Sequence, residues 1–489
     1  MRALEIASPV ASPAYVKPPK ECGLTFAILG DSLTEHCNYA AALTGITQTA
    51  GTATLTLETH GLVPGDKIRI RGANESGYNG VKTILTVPTS GTATFAVDAA
   101  TVSPATGTPW AIYEKRSNGG SWWTFFSGRC AGGVKLLGNF GVAGDTTTQM
   151  MARFPDVMAT GADFVVIVGG HNDLFLTSTD PSVPYANLVA MAEQVVAAGK
   201  ICVLGTCEID SGGAGITLAR RQEVLKLNTM LREYAQGRTG VILFDLHAAL
   251  VNPTNANGYA QTNAHVSDNL HLSCKGADLV GTSLYNALNK YLTPVDLRPS
   301  SAIEVGTRQV FTNPMCTGSG GTVSNVSGTV AAGLFAARWS GTGTVAASVA
   351  ARTTGTDGDA IGSNQVITWT TVANDVVQCG VLDVLAALGG ATKVYAVCHL
   401  QITNPALLNT FKLGLNAQTA GPVDNWCTSF EWDPARYAGM NTPLNLVLVT
   451  PVMNVPAGAI NCSFTWSAVA QSAGTCTVKI GRVGIYTVP

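Results

Sequence analysis

Charge is what this chain has least of. Its 489 residues carry 29 Lys and Arg against 31 Asp and Glu, 12% in all, about half the ~25% of an ordinary globular domain. The net charge of −2 provides no basic field for nucleic acid or an anionic membrane surface. Long apolar runs are also missing: nothing approaches the ~18 consecutive apolar residues of a membrane-spanning helix. The opening MRALEIASPVASPAYVKPPK is interrupted by Glu5 and several prolines. It lacks an apolar core of signal-peptide length, so the expectation is a chain not addressed to the Sec pathway. Cysteine is present, but not in a pattern. The twelve cysteines, from Cys22 to Cys476, include no CxxC pair, and no Cys/His cluster has ligand spacing. That favours free thiols over a disulfide framework and leaves no metal or other cofactor in the expected chemistry. Many sit in apolar settings such as Ile201-Cys202-Val203, where cysteine behaves as a small hydrophobe.

What is abundant is Gly, with 53 residues, together with Thr, Val and Ala. Such a composition suggests much β-structure with short turns, and the length implies two or three domains. Residues 24 to 36 read as a strand, a turn and a helix start. From 45 to 113 the chain turns Thr/Gly/Val-rich and echoes itself, TAGTATLTL against TSGTATFAV. This segment reads as a small all-β module of four to six strands. From Ser121 apolar strands alternate with helical stretches: SWWTFFSGRCAGG, TQMMARFPDVMATG, YANLVAMAEQVVAAGK, TLARRQEVLKLNTMLREYAQG and KGADLVGTSLYNALNKYL. The alternation indicates βαβ units around a doubly wound parallel sheet with helices on both faces, an α/β fold. Beyond about 302 strand-like runs dominate and suggest an antiparallel β-sandwich or jelly roll. Its tryptophans, Trp339, Trp369, Trp426, Trp432 and Trp466, are expected in the core, with sugar stacking as the alternative.

Four polar turns interrupt the α/β part: Gly30-Asp31-Ser32-Leu33, Gly141-Val142-Ala143-Gly144-Asp145-Thr146, Gly170-His171-Asn172-Asp173 and Ser267-Asp268-Asn269-Leu270-His271. Ligands of a doubly wound sheet bind beyond the carboxyl ends of its strands, so these turns are expected to share one rim. Taken alone, Ser32 reads as a helix cap before it reads as a nucleophile. Together the residue types suit acyl transfer. Ser32 supplies an oxygen nucleophile, His271 a base and Asp268 a group to orient the imidazole. Asn172 and the N–H groups of Gly144 and Ser32 supply oxyanion donors. His171 is expected to stay out of direct catalysis and His36 to line a wall or the surface. His247 is expected to be structural, and His60, His265 and His399 have no catalytic context. Asp31 and Asp173 are expected to fix turns.

The blocks Gly30-Asp31-Ser32-Leu33, Asn139 to Thr146, Gly170-His171-Asn172-Asp173 and Asp268-Asn269-Leu270-His271 occur in the order that resembles the SGNH, or GDSL, hydrolase family. The resemblance covers about 24 to 37 and 118 to 292. It implies a flavodoxin-like three-layer fold, a catalytic set Ser32, Asp268 and His271, and an oxyanion hole of Ser32, Gly144 and Asn172, with no metal. The family includes lipases, thioesterases, arylesterases and carbohydrate acetylesterases, so the fold does not choose a substrate.

The expected domains are a discontinuous catalytic domain, 1–44 and 114–298, an inserted small β-barrel module, 45–113, and a C-terminal carbohydrate-binding-like sandwich, 299–489. The inserted module loosely resembles β modules of bacteriophage tail proteins, and the C-terminal part lectin-like domains. The leading expectation is therefore a carbohydrate O-acetyl esterase acting on an acetylated bacterial surface polysaccharide. It would be virion-associated or released by lysis, with a homo-oligomer, a trimer in a tail protein, as partner state. The alternatives are a receptor-binding or structural tail protein with a secondary hydrolase fold, and a lipase or thioesterase-like acyl hydrolase. A bacterial enzyme, cytoplasmic or exported by a non-Sec route, competes with the virion setting. Segments 45–113 and 302–489 are expected to engage polymer and not to serve bond cleavage.

Overall fold

The computed structural model describes residues 24–488 apart from 58–59, 61, 90, 178–179, 214–215, 293–295, 300–308, 312–315, 317–321, 327–329, 332–338, 344–351, 359–362, 372, 375, 382–383, 420–423 and 432–442. At its centre is a five-stranded parallel sheet. Its spatial order is Val241–Phe244, Ile201–Gly205, Phe164–Ile167, Leu24–Gly30, Val134–Gly141. In chain order this is 2-1-3-4-5, the flavodoxin-like arrangement, and the order reverses between Leu24–Gly30 and Phe164–Ile167.

Alternate residues of the buried strands supply opposite cores. Phe26, Ile28, Phe164, Val166 and Val203 pack with Trp122, Phe125, Phe126, Val280 and Leu284, which lie on helices Trp122–Arg129 and Cys274–Leu288. Ala27, Leu29, Val165, Ile167, Cys202 and Leu204 face Met150, Phe154, Leu188, Met191, Val224 and Leu231. These last belong to helices Thr147–Met158, Ser182–Ala197 and Leu218–Gln236. Burial on both faces is why the strands read as continuous apolar runs.

The inserted segment forms one seven-stranded antiparallel sheet folded over its own core, which includes Leu43, Ile46, Leu55, Ile68, Ile70, Tyr78, Phe95 and Tyr113. Six of these strands begin within 45–113, in line with the four to six expected there, and the seventh, Asn38–Ala42, precedes that segment. The sheet opens with Asn38–Ala42 and closes with Gly107–Ser117, which pair with each other. NYAAA carries little strand propensity of its own and is held extended by this partner.

The C-terminal region contains a six-stranded and a seven-stranded sheet, mostly antiparallel. Leu413, Leu415, Phe464 and Trp466 from one meet Val394, Ala396, Cys398, Val478 and Ile480 from the other. Trp466 is thus a core residue; the side chains of Trp339, Trp369, Trp426 and Trp432 lie outside the described residues. The sandwich core is continuous with the core under helix Trp122–Arg129. A Cβ added to Gly128 of that helix would meet Leu446 at 3.0 Å, and one on Gly132 would meet Val449 at 2.4 Å. The Tyr486 hydroxyl donates to the Leu297 carbonyl at 3.2 Å, and Arg482 Nε donates to that of Pro299 at 2.9 Å.

Candidate active site

Strand Leu24–Gly30 ends at the switch point, and a four-residue helix, Ser32–Glu35, follows. The cap of this helix is Asp31, whose Oδ1 accepts the Leu33 N–H at 3.2 Å. Ser32 Oγ is therefore not used for capping. It lies 2.9 Å from His271 Nε2, and Asp268 Oδ2 lies 2.7 Å from Nδ1 of the same ring. Asp268 Oδ1 also accepts the N–H groups of Leu270 and His271, each at 2.9 Å. Burial alone would raise the Asp268 carboxyl. The hydrogen bonds from the His271 ring and from these two amides outweigh it and hold the group below the usual carboxylate range. Asn269 takes φ +62° inside this turn, a left-handed conformation that asparagine tolerates better than most residues.

The oxyanion candidates stand on the neighbouring strand ends. Gly144 has φ +84°, which a glycine adopts without strain. Asn172 Nδ2 donates to the Asp145 carbonyl at 2.9 Å; an amide has a second N–H available. Asp173, next in sequence, accepts the N–H and hydroxyl of Thr147 at 2.8 and 2.6 Å. It thereby ties the third block to the start of helix Thr147–Met158. The structure thus brings Ser32, Asp268 and His271 into one hydrogen-bonded line, and links Asn172 to the loop of Gly144.

Among the neighbours, Arg153, Cys207 and Glu208 carried no signal in the sequence, whereas His36, Asp31 and His171 did. The His36 ring lies 4.5 Å, centroid to centroid, from that of His271, in keeping with a wall position. Arg153 bonds the Asp145 carboxylate and donates to the carbonyls of Phe140 and Gly30 at 3.1 and 2.9 Å. Burial and the nearby Arg69 guanidinium push it down to about 10. Asp31 is buried, and burial first, then Glu208 and Asp173, raises its carboxyl well above the ordinary range. His171 Nδ1 sits 2.6 Å from Glu208 Oε1, both side chains buried, with Cys207 nearby. A cation bound by both atoms would hold its ligands about 2 Å from itself on either side, whereas these two atoms touch directly.

A second serine–imidazole contact, Ser211 Oγ to His265 Nδ1 at 2.6 Å, differs in kind. The His265 Nε2 has no hydrogen-bond partner among the described residues, and burial pushes the ring down to about 4. The thiols of Cys130 and Cys316 are pushed up to about 12 by burial. They are buried, as are Cys202, Cys207, Cys398 and Cys476, which suits packing and not nucleophilic chemistry.

Among the described residues no helix is long and apolar enough to cross a membrane. No curated protein matches the chain. In sequence, residues 105–279 match the family model described as the GDSL-like lipase/acylhydrolase family. Solved structures similar to the chain include a GDSL-like lipase of Bacteroides thetaiotaomicron, at 21% identity over 36% of this chain and 86% of that one, TM-score 0.30. They also include the acetylxylan esterase Axe2 of Geobacillus stearothermophilus, at 16% identity over 54% of this chain and 94% of that one, TM-score 0.32. The family match begins after the inserted sheet's penultimate strand and stops after the block holding Asp268 and His271; it does not reach Ser32, which the parallel sheet itself delivers to His271. Over residues 105–279 the α/β unit of this chain is thus similar to the GDSL-like lipase/acylhydrolase family.

Proposed function

We propose that this protein is a serine esterase that removes O-acetyl groups from a bacterial surface polysaccharide. The observation that carries the hydrolytic part is the line Asp268–His271–Ser32, with spacings of 2.7 and 2.9 Å. In this reading His271 Nε2 accepts the Ser32 proton as Oγ attacks the ester carbonyl, while Nδ1–H donates to Asp268. The tetrahedral oxyanion takes hydrogen bonds from the N–H groups of Ser32 and Gly144 and from the Asn172 amide. Collapse expels the sugar hydroxyl, which takes the proton back from His271. Water, activated in the same way, then releases acetate and restores Ser32.

The carbohydrate part has its support in Trp110. Its side chain is 45% exposed, and in the inserted sheet it lies directly across from Arg71. Directly opposed residues share a face, and Arg71 reaches Glu35, three residues from Ser32. An exposed indole on that face is a platform on which a pyranose ring can stack. The virion setting rests on the tail-protein resemblance of the inserted segment and is checked by looking for the chain in purified particles.

The test is direct. Ser32→Ala should abolish release of p-nitrophenol from p-nitrophenyl acetate, and a fluorophosphonate should label Ser32 in the wild type. Acetate should be released from acetylated polysaccharides, and activity should fall as the acyl chain lengthens. Preference for long chains would point to a lipase or thioesterase. Glycan binding without turnover would point to a receptor-binding protein. Trp110→Ala should raise KM for polysaccharide more than for p-nitrophenyl acetate.

A further inference from the structure

We infer that the inserted β sheet is a working part of the active site, because two of its arginines hold the oxyanion loop in place; this rests on the reading of Gly144 as an oxyanion donor. Strand Lys67–Ala73 alternates Ile68 and Ile70, buried in the inserted sheet's own core, with Arg69 and Arg71 on the opposite face. That face is turned to the α/β unit. Arg69 Nη1 donates to the Gly141 carbonyl at 2.6 Å. Arg71 Nη2 lies 3.4 Å from the Ala143 carbonyl. Both guanidiniums reach one carboxylate oxygen, Glu35 Oε2, at 3.5 and 3.0 Å. The same oxygen accepts the Ala143 N–H at 2.8 Å.

The loop between Gly141 and Gly144 is therefore gripped at three backbone atoms, the last of them the carbonyl that shares a peptide group with the Gly144 N–H. Glu35 and Arg69 are 7% and 6% exposed, so the grip is largely removed from water, where charge-assisted hydrogen bonds are strongest. Among the described residues, the ion pairs of the Glu35 carboxylate are with these two arginines. The Gly144 peptide has open space around it: a Cβ built there meets no atom within 4 Å. Its placement depends on its neighbours in the chain and on what holds them. Arg69, Arg71 and Glu35 are thus positioning residues for an N–H that acts in the transition state. Loss of such a residue should appear in kcat and not in KM.

The experiment uses the full chain and p-nitrophenyl acetate, a substrate too small to need the inserted sheet for binding. Arg71→Met is the main variant, because Arg71 is partly exposed and Arg69 remains to neutralise Glu35. It should lower kcat about 10- to 100-fold, the scale expected for a misplacement of about 1 Å, with KM little changed. Arg71→Lys should recover part of the loss. Glu35→Gln should lower kcat in the same way, and combining it with Arg71→Met should cost much less than the product of the two losses. Val102→Thr, an exposed site in the inserted segment, is the control. Melting temperatures check that each variant is folded. A wild-type kcat in folded Arg71→Met and Glu35→Gln overturns the proposal, as does an effect on KM alone. If instead Ser32→Ala keeps its activity, the reading of the site itself has failed, which is a separate result.

Discussion

The chemistry proposed for Asn172 makes a quantitative demand at the scale of one residue. Its Nδ2 already donates to the Asp145 carbonyl, so the side chain both fixes the loop and offers a donor. Asn172→Ala should lower kcat by about 10²- to 10³-fold with a much smaller change in KM; steady-state kinetics on p-nitrophenyl acetate checks this, and an unchanged kcat would refute it. His265 gives a prediction about stability. Burial lowers its pKa from 6.5 to about 4, so the fold favours the neutral ring. That contribution is complete above pH 6.5 and is lost as pH falls through about 4, because the unfolded chain binds the proton more readily across this window. The melting temperature should therefore drop between pH 6.5 and 4, and His265→Gln should flatten that part of the profile. The four motif blocks were legible because each carries several specific residues in a fixed order. Glu35, Arg69 and Arg71 were not. KIRIRG shows by its alternation that both arginines face away from the local core, but no local pattern says that they end on a carboxylate more than thirty residues earlier and a loop seventy residues later.

Among the elements, helix Trp122–Arg129 has the most to do. One side meets helix Cys274–Leu288 so closely that a Cβ on Gly281 would lie 2.7 Å from the Phe125 Cβ and from the Trp122 carbonyl. The Trp122 indole N–H donates to the Leu33 carbonyl at 3.2 Å, beside Ser32. Gly281→Ala must then push the helix outward. The expected cost is of the overpacking kind, about 1–3 kcal/mol, read as a lower melting temperature, with reduced turnover as Trp122 pulls on Leu33. Full stability and activity in Gly281→Ala would show that the helix gives way freely. The helix itself was legible from SWWTFFSGRC, with Ser121 as its cap: the Ser121 hydroxyl accepts the Thr124 N–H. Its second contact, with the C-terminal sheet, was not. A helix of mostly apolar residues announces burial without naming what buries it, and Gly128 looks in sequence like a flaw instead of a fitting.

For the whole molecule, the C-terminal strands, expected to engage polymer and not to serve bond cleavage, also have a packing role. The sandwich shares one continuous core with the α/β unit, and Leu446, Val449 and Tyr486 seat directly on Gly128, Gly132 and Leu297. A chain ending at residue 298 would expose that apolar surface to water at about 25 cal/mol per Å². It should melt lower and self-associate, and its loss of activity on p-nitrophenyl acetate should follow its loss of fold; size-exclusion chromatography and a melting curve decide. A monomeric fragment with full turnover would restore the sandwich to the status of an appendage. The doubly wound architecture was legible from apolar strands alternating with helical stretches, because burial on both faces leaves a mark in every strand. How the three parts meet leaves no such mark, since joints are made by single residues far apart in the chain.

The place of Leu24–Gly30 also bears on how the protein is made. It is the first described strand to be synthesised, yet its partners in the sheet are Val134–Gly141 and Phe164–Ile167. At 5–20 residues per second, the ribosome needs roughly ten seconds to supply the nearer one. During that interval Phe26, Ala27, Ile28 and Leu29, all fully buried at the end, have no lasting cover. Meanwhile the inserted sheet, whose strands all lie within residues 38–117, can close by itself. The nascent chain thus carries a sticky segment behind an already folded one, and yield during expression will depend on slowing encounters between such chains, by lower temperature or chaperones, more than on the stability of the finished molecule.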